Sequence, residues 1–248
     1  MNSGMKLALG GTVVLLAAVG IELAVIHHRN NEEAPVKVVE VAKLNPDDAV
    51  YPRKLRQDSM KDMKAMVGTT VWMSAGGQMD YYVDKGNHVD YSKPLGTVPG
   101  ATEMKIVGVF EQVAPRTGRA VFRIAAGQRH VLLAFTMPKG TDPKAVYAFP
   151  VGNYDNGAYT IYADDILFYD DPHVLYKHWG PEMWAQVDQH KAVLGMSEAE
   201  AMMSLGEVTK PSSDDRGNRS VVFENDGHAL TIVFRNDKAV SITPGGSL

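Results

Sequence analysis

The sequence predicts an α+β chain in three parts: an N-terminal single transmembrane helix, a mainly antiparallel β middle domain (a small barrel or sandwich), and a C-terminal ααβββ domain. Three observations predict it. A nearly uncharged apolar run opens the chain. Short runs rich in Val, Ile, Tyr and Phe follow, separated by turn residues. The pattern then switches to helical period and ends in two hairpin signals.

Composition narrows the function classes. The 248 residues carry a formal net charge of −4 and no cysteine. There is no basic stripe for nucleic acid, and disulfides, thiolate chemistry and cysteine zinc sites are excluded. No cofactor is implied.

"KLALGGTVVLLAAVGIELAVI" (Lys6 to Ile26) has the length of a membrane span at about 1.5 Å per residue and a hydrocarbon core of about 30 Å. Its one interior charge, Glu22, lies near the polar end His27-His28-Arg29. No small-x-small cleavage site follows Ile26, so an uncleaved anchor is favoured over a signal peptide. This reading gives residues 1–29 as an anchor in the inner membrane, contact with the lipid bilayer, and domains facing the periplasm.

Residues 30–66 read as a tether with Pro35, Pro46 and Pro52. Within it "VKVVEVAKL" (Val36 to Leu44) suits a short strand. "RKLRQDSMKDMKAM" (Arg53 to Met66) suits a helix with Met60, Met63 and Val67 on one face. Arg53, Lys54, Arg56, Lys61 and Lys64 are diluted by Asp58 and Asp62, which favours a solvated face over a lipid contact.

Residues 67–170 form the β-rich domain. Its strand candidates are "TTVWMSA", "MDYYVD", "EMKIVGVFEQV", "AVFRIAA", "RHVLLAFTM", "AVYAFPV" and "AYTIYADDILFY". Gly76-Gly77, Lys85-Gly86-Asn87, Pro99-Gly100, Arg116-Thr117-Gly118, Lys139-Gly140 and Asp155-Asn156-Gly157 punctuate them. Residues 171–180 are a connecting helix, with Asp171 as N-cap and Pro172 as first helical residue. Gly180-Pro181 ends it and starts the C-terminal domain, residues 181–244.

"GMSEAEAMMSLG" (Gly195 to Gly206) carries the most specific local signal. Ser197 and Glu200 form an S-x-x-E capping box, and Gly206 supplies a left-handed stop, so Gly206→Val is expected to destabilise the domain. "RSVVFEN", "HALTIVFRN" and "KAVSI" then make a three-stranded meander that packs on the helices through Val222, Leu230, Ile232, Phe234 and Val240. Gly195, Met196, Ser197, Leu205 and Gly206, followed by these strands, resemble the SmpA/OmlA (BamE-like) family. The family pattern often has Pro soon after Leu-Gly, whereas Pro here waits until Pro211. The resemblance implies a periplasm-facing, non-enzymatic protein acting through contacts with envelope or membrane proteins. The whole chain also resembles membrane-anchored proteins of Acidobacteria, a likeness that implies no activity.

The densest polar-aromatic patch is "YADDILFYDDPHVLYKHW". Asp164, Asp165, Asp170, Asp171, His173 and His178 are of the right types for a metal site or an acid–base pair. The two histidines would diverge on one helix, and Asp171-Pro172 already starts that helix, so packing and capping are favoured over metal. Tyr176, Trp179, Met183 and Trp184 are candidate partner-binding anchors, or else the seam between domains. The methionines read as core filling. The leading function is a membrane-anchored, non-catalytic scaffold or assembly factor acting through protein contacts. The alternative is a small-ligand or cell-wall glycan binding module using Trp72, Tyr81, Tyr82 and Tyr91. A metal-dependent hydrolase centred on Asp170, Asp171 and His173 is the least favoured.

Overall fold

The computed structural model describes residues 19–28, 45–74, 76–116, 126–225 and 227–245. They fall into two units, divided after Leu44. In the first, residues 19–28 are helical and exposed. At about 1.5 Å per residue they reach about half of a hydrocarbon core. Residues 6–18 of the expected span, and the expected strand Val36 to Leu44, lie outside the described residues. Among the described residues no helix is long and apolar enough to cross a membrane. The expected single-pass anchor, and the inner-membrane placement drawn from it, are therefore not supported.

The second unit corrects the fold class: it is mainly antiparallel β-sheet with few, short helices. A seven-stranded sheet is built from β1 (Thr70–Met73), β2 (Tyr82–Val83), β3 (Glu103–Val113), β4 (Arg129–Thr136), β5 (Tyr147–Asp155), β6 (Ala158–Ile161) and β7 (Leu167–Phe168). Their order is β2-β5-β4-β3-β1-β7, with β6 pairing β5. β2 and β7 do not pair with each other, so the expected closed barrel does not form among the described residues. "AVFRIAA" lies almost entirely outside the described residues. "AYTIYADDILFY" is not one strand, because a single helical turn, α2 (Ala163–Ile166), separates β6 from β7.

β4 is central and buried along nearly its whole length, which explains its unbroken run Val131-Leu132-Leu133-Ala134-Phe135. Val131, Leu133 and Phe135 join one cluster with Met63, Met73, Met104 and Ile166. Leu132 and Ala134 join another on the opposite face with Tyr82, Tyr91 and Phe110. The expected helix Arg53 to Met66 is shorter. Residues 53–58 are not helical, and α1 (Met60–Ala65) begins only after its N-cap Ser59, whose hydroxyl accepts from the Asp62 N–H.

The C-terminal part holds α3 (Pro172–Leu175), a 3₁₀ turn at Lys177–Trp179, α4 (Gly180–Val187) and α5 (Glu198–Leu205). They pack against a four-stranded sheet of order β11-β10-β9-β8, where the sequence suggested three strands. The added strand is β8 (Thr209–Pro211), and its Pro211 closes it at a sheet edge. β9 (Ser220–Phe223), β10 (Leu230–Arg235) and β11 (Lys238–Pro244) follow. Ile232 and Phe234 are buried as expected from their alternation, but Val221, Phe223 and Ala239 are the inward neighbours rather than Val222 and Val240. A one-residue change of parity moves a side chain to the opposite face.

Three glycines let the two parts meet backbone to backbone. A Cβ on Gly76 would collide with the backbone of Gly100, and one on Gly100 with the Met203 carbonyl. A Cβ on Gly206 would sit 2.8 Å from the Gly76 carbonyl oxygen. The Glu207 N–H donates to that same oxygen at 2.8 Å. Gly206 has φ 101 and ψ 166. This is a positive-φ extended stop reserved for glycine, not the left-handed helical stop expected, and the close approach adds a second reason for glycine.

Gly100→Ala is expected to lower unfolding stability by about 3 kcal/mol, read as a drop in the urea midpoint, because the colliding atom is backbone and cannot rotate away.

Candidate functional site

The polar-aromatic patch lies where α2, α3 and α4 join the two parts. α2 turns Asp164 toward the extended segment before α1. Its carboxylate accepts from the N–H of Leu55 at 3.0 Å, the N–H of Arg56 at 2.8 Å and the Tyr169 hydroxyl at 2.7 Å. Lys54 donates to the Asp164 carbonyl. Burial works to raise the Asp164 carboxyl, but the Tyr169, Arg56 and Leu55 hydrogen bonds outweigh it and hold the group below its usual range. Burial, with Asp164 second, pushes the Tyr169 phenol up. Asp170 pairs with Arg53 at 3.1 Å, and the same guanidinium donates to the Tyr169 carbonyl at 2.9 Å.

Asp171 caps α3 by accepting the His173 N–H at 2.9 Å. The two ring nitrogens of His173 meet Asp171 at 2.8 Å and Asp188 at 3.0 Å, while its ring stacks on Trp184 at 4.1 Å. His178 goes elsewhere, to Asp47 at 2.6 Å. The helix breaks at Tyr176, so the two histidines do not share an element. Among the described residues no group of three or more His, Asp or Glu side chains is placed to hold a metal ion. The proposed hydrolase centre thus resolves into an ion pair (Asp170) and a cap (Asp171) that also holds His173.

The four candidate anchors do come together. Tyr176 lies 4.6 Å from Trp179, and Trp179 lies 5.0 Å from Trp184, with Phe168 beyond Tyr176 at 6.1 Å. Trp184 is buried, and Tyr176, Trp179 and Met183 are half-buried against the same cluster. Both indole N–H groups are used internally: Trp179 donates to Asp47 at 2.7 Å and Trp184 to the Tyr176 carbonyl at 3.1 Å. The stack packs in the same cluster as Trp72 and Phe168 of the large sheet.

The four aromatic candidates for ligand binding do not form a groove. Trp72 packs into the C-terminal cluster, and Tyr81 packs on the first face of the large sheet. Tyr82 and Tyr91 are buried on the second face, edge-on at 5.5 Å. Among the described residues their hydroxyls have no hydrogen-bond partner, and burial pushes both phenols up.

Two clefts border the seam. One of about 360 Å³ is lined by Gly100, Glu103, Lys139, His173, Asp188 and His190. The Glu103 hydrogen bond at 2.9 Å raises the Lys139 ammonium above its usual range. The other, about 190 Å³, includes His190, Ser204, Gly206 and Asn225.

Several site residues escaped the sequence reading. Asp47 is one, although Asn45-Pro46 before it carries the signature of a capped turn: the Asn45 side chain accepts the Asp47 N–H at 3.1 Å. Glu198 is another. It is fully buried, accepting from Arg219 Nε at 3.1 Å and from the Gly217 N–H at 2.9 Å. No local signal marks it, because its partners lie beyond a loop. No protein-family model, curated protein or solved structure matches this chain.

The depressed Asp164 carboxyl gives a signed pH dependence. Its contribution to stability is full above the unfolded carboxyl value of about 3.9 and is lost as pH falls through the lower folded value. Urea midpoints measured between pH 6 and pH 2.5 are expected to show a shallower acid decline for Asp164→Asn than for the wild type.

Proposed function

We propose that the protein is a non-catalytic scaffold that works through protein–protein contacts made by its C-terminal part. One observation carries this reading: five of the six chemistry-bearing side chains of the densest patch end on structural partners. Asp164, Asp170, His173 and His178 each hold another segment in place, and Asp171 caps its own helix. A nucleophile, a base and an oxyanion pocket are what a hydrolase would need, and this patch is spent on capping, clamping and stacking instead.

The surface offers a contact face. Leu194 is 66% exposed and Val240 is 53% exposed. The Gly195 N–H donates to the Ala239 carbonyl at 2.8 Å, so the chain neighbours of these two apolar residues are joined. The SmpA/OmlA resemblance of Gly195 to Gly206 supports the same style of action, by contact rather than catalysis. The ligand-binding alternative is weakened by the separation of Trp72, Tyr81, Tyr82 and Tyr91 into three different clusters.

A pull-down from crosslinked cells with a C-terminal affinity tag tests the reading. Leu194→Glu with Val240→Glu is expected to abolish capture of specific proteins while leaving the melting temperature unchanged. Identical captured sets for wild type and double variant would overturn it.

A further inference from the structure

The second unit begins with a segment held in an unusual way. Residues 45–56 cross from the C-terminal part to the large sheet without burying a single residue. Tyr51 is 86% exposed. Segments that belong to a core are held by apolar burial; this one is held by polar ties that end largely on carboxylates. The Asn45 amide donates to Asp237 at 3.0 Å, and Asp47 receives His178 and Trp179. Arg53 reaches Asp170, and Asp164 takes the N–H groups of Leu55 and Arg56.

The tie at Asp164 differs in kind from the others. Arg56 has φ 54, a left-handed conformation that costs a non-glycine residue free energy. Asp164 holds it there by accepting two consecutive backbone N–H groups. Loss of that carboxylate removes the reason for the kink and lets the strain relax. Immediately after it, Gln57 is buried and fixed: its amide donates to the Tyr169 hydroxyl at 2.9 Å. The chain therefore changes from weakly held to firmly held between Arg56 and Gln57.

Beside the end of the segment lies an open cleft of about 560 Å³, lined by Arg53, Arg56, Asp62, Met66, Thr70 and Tyr169 among others. Its floor is the stretch of β1 that β7 leaves uncovered, since β7 pairs only with Trp72 and Met73. Arg53, Leu55 and Arg56 are the residues of the segment that line it.

We propose that residues 45–56 are a releasable strap, latched by Asp164 and hinged at Gln57, which opens as a unit and widens this cleft at the β1 edge while the two sheets stay folded.

Hydrogen exchange of the full chain at neutral pH, read by fragment, tests this with wild type, Asp164→Asn and Arg53→Gln. In the wild type, residues 45–56 are expected to exchange well before global unfolding. In Asp164→Asn their exchange is expected to be about tenfold faster or more, the consequence of losing charge-assisted hydrogen bonds. Fragments of β4 and β10 are expected to keep the wild-type rate. Arg53→Gln removes a tie outside the latch and is expected to give a smaller acceleration confined to the same residues; it carries the test if Asp164→Asn does not fold. Exchange of 45–56 only with global unfolding would overturn the proposal. So would no acceleration in the variants, or equal acceleration of the strap and the two sheets.

Discussion

The fold depends on a place with no side chains. Gly76, Gly100 and Gly206 allow the backbone of the large sheet's loops to touch the end of α5, and the Gly76 carbonyl accepts the N–H of Glu207 at 2.8 Å. Any Cβ at these positions pushes backbone against backbone. With the glycines in place, Trp72 and Phe168 on the large sheet reach the C-terminal cluster, and the stack of Tyr176, Trp179 and Trp184 closes around them. The two β-sheets then act as one body rather than as beads on a chain.

Polar groups organise the same junction. Glu198 is buried in the first turn of α5 and tied to Arg219 and Gly217, while Ser197 and Glu200 complete the capping box around it. Removing one member of such a buried pair is costly because the other is left without a partner. The arrangement fixes where α5 begins, and the run from Glu198 to Leu205 then brings Gly206 to Gly76. Asp237, which accepts the Glu198 N–H at 3.0 Å, also accepts from Asn45. The helix start, the sheet turn and the strap thus share one carboxylate.

What could be read from the sequence was local. The run Glu103 to Val113 is legible as a strand because it is long and rich in β-branched residues. The capping box is legible because its two side chains are three residues apart. What could not be read was pairing and distance. The inward residues of β9 and β11 were misplaced by one position, since parity is set by register with β10 and by the bulge at Val233/Phe234. The open edges of the large sheet were invisible for the same reason. A tether was expected through residue 66 because Pro46, Pro52 and mixed charges look like a linker. Its ties to Asp164, Asp170 and His178 lie more than a hundred residues away. The membrane span was read from hydropathy alone, and among the described residues no helix has the length and apolarity to cross a membrane. At the candidate site, residue types pointed to chemistry, and only the partners revealed that the groups are engaged in holding segments together.

A glycine-lined backbone contact makes the two sheets one cooperative unit. Differential scanning calorimetry of the full chain tests it most directly. A single unfolding transition is expected for both sheets, with calorimetric and van 't Hoff enthalpies equal. Two separable transitions, one for each sheet, would contradict it.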